Sequence, residues 1–192
     1  MLAYTNSFID RQILNLLIEP IRSDLEITDT QVSLLAGFAF AIFYTLMGVP
    51  IARLADQKNR KVIIVIGIAV WSAMTALCGA ARSFWQLFFA RVGVGVGEAT
   101  LSPAAFSIMA DYFPRHKLAR AFSVYSMGVY FGAGLALIIG GAVIRLVKNA
   151  GAINLPVVGD VAPWQMTFFL VGLLGLPIFL LLLTVREPVR RG

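Results

Sequence analysis

Long apolar stretches alternate with short polar connections along the whole chain, and most charged residues lie in the connections. A helix needs about 20 predominantly apolar residues to cross the hydrocarbon core of a bilayer. Six segments reach or approach this length, and we predict a membrane-spanning helix in each: 1–18, 32–54, 62–81, 84–111, 120–146 and 164–185. The pattern therefore predicts an all-α membrane protein with one six-helix transmembrane domain over 1–185.

The first of these segments differs from the others because it is short and carries charges near its centre, at Asp10 and Arg11. A signal peptide would have its charges in front of the apolar region and a small-residue cleavage site after it. The segment also starts abruptly at Met1, without a basic leader. We therefore expect that the chain begins inside a longer membrane helix.

The composition favours a membrane protein over a soluble domain, since 59% of the 192 residues are hydrophobic and only 14% are charged. The mean hydropathy of +0.83 agrees with this interpretation. One cysteine, Cys78, is too few for an internal disulfide or a Cys-rich metal site. Serine hydrolysis inside the membrane would need a base near a serine, and the one histidine, His116, lies in a basic connection. We therefore expect neither a metal nor another cofactor, and we do not expect an enzyme.

The net charge of +6 reflects how basic residues are divided between the two sides of the predicted bundle. Only four lie on one side, while ten lie in the connections on the other: Arg53, Lys58, Arg60, Lys61, Arg115, Lys117, Arg120, Arg186, Arg190 and Arg191. The positive-inside rule places these ten in the cytoplasm, together with the C-terminal end of the chain. The basic balance thus indicates a topology, and we expect no nucleic-acid partner.

Four charged residues lie inside predicted spans: Asp10, Arg11, Arg91 and Glu98. An unpaired charge at such a position costs about 2.5–3.5 kcal/mol on insertion scales. At 1.5 Å per residue, Arg91 lies ~10 Å, Asp10 ~13 Å and Glu98 ~21 Å from the outer surface. The depths favour an Arg91–Asp10 pair, and they leave Arg11 as the candidate partner of Glu98.

Arg91 and Glu98 are seven residues apart, so both project from one helix face, and three glycines stand between them. We expect this bare face to admit another helix or a ligand. Buried ion pairs stabilise a fold poorly compared with apolar packing, so we interpret the four charges as functional rather than purely structural. The first and fourth spans, which carry them, open the two halves of a predicted 3+3 inverted repeat.

The connection between the second and third spans carries a recognisable charge pattern. Residues 52–61 place Asp56 four positions after Ala52 and end with the basic pair Arg60 and Lys61. This pattern resembles the helix 2–3 signature of the major facilitator superfamily, although alanine stands at 52 where the signature has glycine. The resemblance implies that Asp56, Arg60 and Lys61 form a conformational latch.

Four motifs over essentially the whole chain resemble the bacterial spinster-like branch of this superfamily, namely 6–11, 48–56, 91–103 and 111–114. The resemblance implies a bacterial inner-membrane transporter with twelve helices in two halves, working by alternating access. It also implies proton-coupled movement of amphipathic substrates such as lysolipids and sphingolipid phosphates. On this basis the chain is the N-terminal half, and 186–192 begin a cytoplasmic linker to an absent C-terminal half.

The roles of the four buried charges follow from which of them can titrate. Arginine stays protonated in proteins, so Asp10 and Glu98 are the candidate proton carriers. We assign Arg91 to the anionic group of the substrate and Arg11 to charge balance.

Three alternatives stay open at this point. An organic-anion/proton symporter of the same superfamily would use the same charges for a small carboxylate. A six-helix oligomeric channel or structural membrane protein belongs to another class. The third is an isolated half that folds without transporting.

Overall fold

The computed structural model describes residues 1–149, 153–155 and 159–190, and within them the chain is almost entirely helical. Nine α-helices occur in this described part: α1 Leu2–Leu16, α2 Ile18–Leu25, α3 Asp29–Ser33, α4 Ala39–Gln57, α5 Arg60–Gly79, α6 Phe84–Glu98, α7 Leu101–Tyr112, α8 Arg115–Asn149 and α9 Pro163–Thr184. A π-helical segment, Leu34–Phe38, joins α3 to α4 into one continuous helix. A short antiparallel hairpin, β1 Ile153–Leu155 and β2 Gly159–Val161, precedes α9.

Five helices of the described part are long and apolar enough to cross a membrane: Asp29–Gln57, Arg60–Gly79, Phe84–Tyr112, Arg115–Ala142 and Pro163–Thr184. They coincide with the last five predicted spans to within a few residues at most ends. The first predicted span, 1–18, is helical but is interrupted at Leu17, where α1 gives way to α2. Because α1 has 15 residues and thus covers only about 22 Å, its crossing of the membrane stays a prediction.

The bundle is built from close helix pairs in which α1 packs on α8, while α5 packs on both α9 and α6. Helix α6 also packs on α4, so it lies between the second and third spans. Its glycines permit this approach. A Cβ on Gly95 would lie 2.8 Å from the carbonyl oxygen of Phe40 in α4, and one on Gly97 would lie 2.7 Å from the backbone nitrogen of Trp71 in α5. The bare face of α6 therefore receives α4 and α5.

Tryptophan and branched aliphatic side chains fill the core around α5 and α6, including Ile68, Trp71, Leu87 and Val94, all essentially inaccessible. Many apolar side chains on α4, α8 and α9 stay exposed, as expected for helices that face lipid or other membrane segments. The charged residues of the predicted site lie inside this bundle, on the inner faces of α1 and α6.

Candidate functional site

Asp10 and Arg91 form an ion pair inside the bundle, with 2.8 Å between Oδ1 of Asp10 and Nη1 of Arg91. Both side chains are almost inaccessible, with exposed fractions of 1% and 2%. The second carboxylate oxygen of Asp10 accepts a hydrogen bond from the hydroxyl of Thr75 in α5. Asp10 therefore links α1 to both α5 and α6, and each of its oxygens has a partner.

Glu98 and Arg11 form a second ion pair between the same two helices, α1 and α6. Nη2 of Arg11 lies 2.7 Å and Nε 2.8 Å from Oε2 of Glu98, and the hydroxyl of Ser7 donates to the same oxygen at 2.5 Å. The other oxygen, Oε1, is buried and accepts no hydrogen bond within the described part of the chain. Three donors thus converge on one carboxylate oxygen and leave the second one bare.

Aromatic rings surround the guanidinium group of Arg11. Its central carbon lies 5.2 Å from the ring centroid of Phe8, 4.6 Å from that of Phe40 and 4.9 Å from that of Tyr44. We call these three side chains the aromatic cage. Phe40 also lies 5.8 Å from the guanidinium carbon of Arg91, so it stands between the two ion pairs. Cation–π contacts of this kind contribute about 0.5–2 kcal/mol each, and more when desolvated.

Phe40 and Tyr44 reach this position from the start of α4, directly after the π-helical segment Leu34–Phe38. A π-helical turn inserts an extra residue and rotates the helix face that follows, and such turns are frequent at functional sites. Here the segment precedes the two rings that contact Arg11. The second span therefore contributes to a site whose charges all come from the first and fourth.

The two arginines differ in access. The Arg11 side chain is 25% exposed, whereas that of Arg91 is 2% exposed and engaged with Asp10. A molecule approaching the network from outside the protein meets Arg11 first. Of the two arginines among the four charged residues, Arg11 is therefore the accessible one.

The predicted latch residues lie at the opposite end of the bundle from α2. Arg60 is 2% exposed, and its guanidinium contacts Asp111 at 2.5 Å and Glu187 at 2.8 Å. It also donates to the hydroxyl of Ser107 at 3.0 Å. The side chain of Asp56 is exposed and forms no hydrogen bond or ion pair with any residue that the structure describes. Its role in a latch stays a prediction, and the acidic partners here are Asp111 and Glu187.

Glu187 also caps the N-terminus of α5, although it lies 127 residues from Arg60 in the sequence. Its Oε2 accepts the backbone N–H of Lys61 at 2.8 Å, and its Oε1 accepts that of Arg60 at 3.3 Å. Burial alone would raise the pKa of Glu187, but hydrogen bonds from Arg60 and Lys61 and the charge of Arg60 outweigh it, so the pKa lies below its usual value. A carboxylate at a helix N-terminus is favoured because the helix end carries a partial positive charge.

Further bonds tie the segment that follows α9 to the bundle, and we call residues 185–190 the strap. The hydroxyl of Tyr112 donates to the carbonyl oxygen of Arg186 at 2.6 Å. Arg190 donates to the carbonyl oxygens of Ala55 at 2.8 Å and Lys58 at 2.6 Å. The predicted linker thus begins as an ordered segment, and its last two residues, 191 and 192, lie outside the described part.

Sequence reasoning missed the neutral and aromatic members of the site. Ser7 and Thr75 are ordinary small polar residues within apolar spans, and only the position opposite a buried carboxylate gives them a role. The pairing of Asp111 and Glu187 with Arg60 joins residues 51 and 127 positions apart. One signal was present, since Glu187 is the last acidic residue and follows a span directly. Among the described residues, no group of three or more His, Cys, Asp or Glu is placed to hold a metal ion.

Comparison with known proteins identifies the class of this bundle. The family model described as Major Facilitator Superfamily matches residues 1–192. The chain therefore belongs to the Major Facilitator Superfamily. The predicted all-α membrane fold, the N-terminal half of that superfamily's fold, is confirmed, with five helices of the described part long and apolar enough to span a membrane. The match spans every element that carries the charge network and the strap.

Within the superfamily, the similar proteins include spinster-like transporters. A crystal structure of a bacterial homologue of the human lysosomal transporter spinster, inward-facing and unoccupied, superposes with a TM-score of 0.87 at 40% identity, covering 100% of this chain and 42% of that one. An MFS-type efflux pump of Mycolicibacterium smegmatis is 31% identical over 96% of this chain and 40% of its own length. The sphingosine-1-phosphate transporter SPNS2 of Danio rerio is 29% identical over 96% of this chain and 34% of its own length. The chain thus spans roughly 40% or less of the length of these two relatives.

Proposed function

We propose that this chain is the N-terminal half of a proton-coupled secondary transporter for amphipathic anions. The observation that carries the proposal is the asymmetric carboxylate of Glu98, with three donors on one oxygen and a bare, buried second oxygen beside the accessible Arg11. Ionisable residues inside membrane bundles are expensive and mark ion or substrate pathways. Proton coupling requires a group that can bind and release a proton. Asp10 and Glu98 can do so, and they lie beside two arginines that stay protonated.

Glu98 is the better placed of the two acids to bind and release a proton. A proton can bind its Oε1 without displacing any hydrogen bond of the described residues, because that oxygen has no partner. Asp10 has a donor on each oxygen, from Arg91 on one and Thr75 on the other, and both donors stabilise its ionised form. We therefore assign the transported proton to Glu98 and the fixed charge balance of the network to the Asp10–Arg91 pair.

Protonation of Glu98 changes what Arg11 can bind. A neutral carboxylic acid holds a guanidinium far less strongly than a carboxylate does. The aromatic cage still stabilises the guanidinium when Glu98 becomes neutral, because cation–π attraction does not depend on that acid. Arg11 is then free to bind an anionic group of the substrate, and proton binding is linked to substrate binding through one side chain.

The substrate class follows from the same geometry. A cation ringed by aromatic side chains suits a molecule with an anionic head and an apolar body. The relative named as a sphingosine-1-phosphate transporter carries such a molecule, which supports a lipid phosphate or lysolipid for this chain. The sequence favoured Arg91 as the residue that contacts the anionic group of the substrate. We assign this contact to Arg11 instead, because Arg91 is buried against Asp10.

We further propose a second six-helix half as the partner of this chain, in a bacterial inner membrane, with the strap on the cytoplasmic side. The excess of basic residues around Arg60 and Lys61 supports that orientation. Alternating access would then rock the two halves about the central charges. The exposed Asp56 faces no partner in the described chain and is free to contact the second half in one of the two states.

The first prediction tests the proton role in the complete transporter reconstituted into liposomes. We expect Glu98→Gln to abolish uptake driven by a proton gradient while substrate exchange without a gradient persists, since glutamine keeps the shape but cannot release a proton. Asp10→Asn should lower protein stability and transport together, because it leaves Arg91 without its charge partner. The matched control is Glu19→Gln, which removes an exposed acid outside the network.

Three outcomes would contradict this assignment or one part of it. Gradient-driven uptake that persists in both Glu98→Gln and Asp10→Asn would remove the proton role from this network. Displacement of a bound amphiphile by a small carboxylate, with no preference for an apolar tail, would favour the organic-anion symporter. A steady, non-saturating current in planar bilayers would favour a channel.

A further inference from the structure

An apolar groove of about 360 Å³ opens where α7 ends and α8 begins. Its walls include Met109 and Phe113 from the α7 side and Ala121, Val124 and Tyr125 from α8. Phe113 is 42% exposed and Val124 is 52% exposed, so the groove is open along its outer side. The groove lies near the end of the bundle that carries the strap, away from the buried charges.

Tyr125 closes the inner side of this groove. It is only 5% exposed, and its ring stacks on that of Tyr4 in α1 with 4.4 Å between the centroids. Phe106 packs against the same ring edge-on at 5.3 Å. Tyr4 in turn packs edge-on against Phe8 of the aromatic cage, so aromatic rings stand between the groove and Arg11.

Two cations, Lys117 and Arg120, line the same groove. Both are exposed, and neither side chain forms an ion pair or hydrogen bond with any residue that the structure describes. They lie in the first two turns of α8, where no acidic residue offsets the positive helix end. The rim of the groove is therefore strongly electropositive, while its walls are apolar.

We propose that this groove binds an anionic phospholipid of the surrounding bilayer, with the phosphate held by Lys117 and Arg120 and one acyl chain along the apolar walls. Basic pockets between membrane helices on the cytoplasmic side are typical sites for anionic headgroups. A free inorganic anion would leave the apolar walls without a partner. A zwitterionic lipid would offer its phosphate to the two cations but would add a positive group beside them, so its net attraction is weaker. The closed inner wall at Tyr125 favours a resident lipid over a molecule on its way to Arg11.

The test uses native mass spectrometry of the complete transporter in detergent, with phosphatidylglycerol and phosphatidylcholine as the probes. We expect saturable binding of phosphatidylglycerol and much weaker binding of phosphatidylcholine. Lys117→Gln/Arg120→Gln should weaken the phosphatidylglycerol affinity by on the order of 30-fold. Arg53→Gln/Lys58→Gln, which removes the same charge from the same side of the membrane outside the groove, should change it less than about twofold.

Two further variants separate the headgroup from the acyl chain. Ala121→Trp fills the groove and keeps both cations, so it should also weaken phosphatidylglycerol binding. The exchange Lys117→Arg/Arg120→Lys keeps both charges and should preserve binding of phosphatidylglycerol. That result would show that the two rim residues act through their charge and not through an effect on folding.

Several outcomes would overturn the proposal. An equal loss in the Arg53/Lys58 control would reduce the effect to general surface charge. Equal binding of phosphatidylcholine would show that the site does not recognise the anionic headgroup. Undiminished binding of phosphatidylglycerol by Ala121→Trp would show that the lipid does not occupy the groove. Displacement of the lipid by a single-chain anionic amphiphile, with a raised KM for its transport in Lys117→Gln/Arg120→Gln, would assign the groove to the substrate instead.

Discussion

Asp10 and Glu98 are both buried carboxylates, but their hydrogen bonds are distributed in opposite ways. Asp10 divides its two oxygens between Arg91 and Thr75, whereas Glu98 receives all of its donors on Oε2. Hydrogen-bond donors stabilise the ionised form of a carboxylate, so an oxygen that has a donor resists protonation more than an oxygen that has none. The difference between the two acids therefore lies in small polar neighbours, Thr75 and Ser7, as much as in the arginines.

Thr75 offers a second prediction at this scale. Thr75→Val keeps the side-chain shape but removes the hydroxyl, leaving one oxygen of Asp10 buried without a donor. We expect the free energy of unfolding to fall by about 1–3 kcal/mol. The measurement is the thermal unfolding of the complete transporter in detergent, followed by intrinsic fluorescence.

Thr45→Val is the matched control, because among the described residues the Thr45 hydroxyl bonds to the carbonyl of Ala41 in its own helix and to no other group. A loss no greater than that of the control would show that Thr75 does not stabilise the ionised form of Asp10. Combining Thr75→Val with Asp10→Asn should cost less than the sum of the two changes, since both act on one contact.

The sequence predicts the charged part of this site because charge inside an apolar run is conspicuous. Depth along the helices was enough to favour Arg91 for Asp10 and Arg11 for Glu98, and the structure contains both pairs. It did not predict the aromatic cage, because Phe40 and Tyr44 are two apolar residues among many in the second span. The sequence also does not predict which arginine is accessible, because this depends on how α4 covers Arg91 and leaves Arg11 partly exposed.

At the scale of the elements, long apolar segments defined most of the helices, but local backbone chemistry changed some of their limits. The π-helical segment Leu34–Phe38 lies within a uniform apolar pattern, so its position could not be predicted from hydropathy. The break at Leu17 separates α1 from α2, although the apolar pattern continues through it. The break has a local cause, because Pro20 has no N–H to donate to the carbonyl oxygen of Leu16. Neither feature follows from hydropathy alone.

The glycines of α6 provide the prediction for this scale. A methyl group on Gly97 would lie 2.7 Å from the nitrogen and 2.8 Å from Cβ of Trp71, so Gly97→Ala must push α6 away from α5. We expect a destabilisation of about 1–3 kcal/mol, together with reduced transport, because α6 carries both Arg91 and Glu98. The same thermal measurement and a transport assay would detect the two effects.

Gly134→Ala is the control for this change, since no packing neighbour among the described residues lies within 4 Å of the place that its methyl group would occupy on α8. Alanine is the better helix former, so this variant should gain about 0.5–1 kcal/mol in stability. If Gly97→Ala behaved like Gly134→Ala, close contact between α6 and α5 would not be required, and the glycines would have another use.

At the scale of the whole molecule, the strap joins the ends of helices that are distant in sequence. Glu187 reaches Arg60 and Lys61 at the start of α5, and Arg60 in turn reaches Asp111 in α7. Lys61 closes the arrangement by donating from Nζ to the carbonyl of Leu183 at 2.8 Å. Any motion of the sixth span relative to the third and fourth must therefore break several charged hydrogen bonds at once.

Glu187→Gln isolates the charge of this junction, because glutamine can still accept one hydrogen bond from Arg60 but carries no charge. We expect the variant to lose about 1 kcal/mol of stability at pH 7, where the charge-assisted contacts of Glu187 are intact.

The folded-state pKa of Glu187 lies below its usual value, so its contribution is fully present above about pH 4.3 and disappears as the pH falls through the folded-state pKa. The melting temperatures of the wild type and the variant should therefore differ at pH 7 and converge once the pH falls below the folded-state pKa of Glu187. Glu19→Gln, an exposed acid at the other end of the bundle, should match the wild type at neutral pH. If Glu187→Gln did so as well, two other sets of bonds would hold the strap: the one from Tyr112 to the carbonyl of Arg186, and those from Arg190 to the carbonyls of Ala55 and Lys58. The carboxylate would then serve only to cap α5.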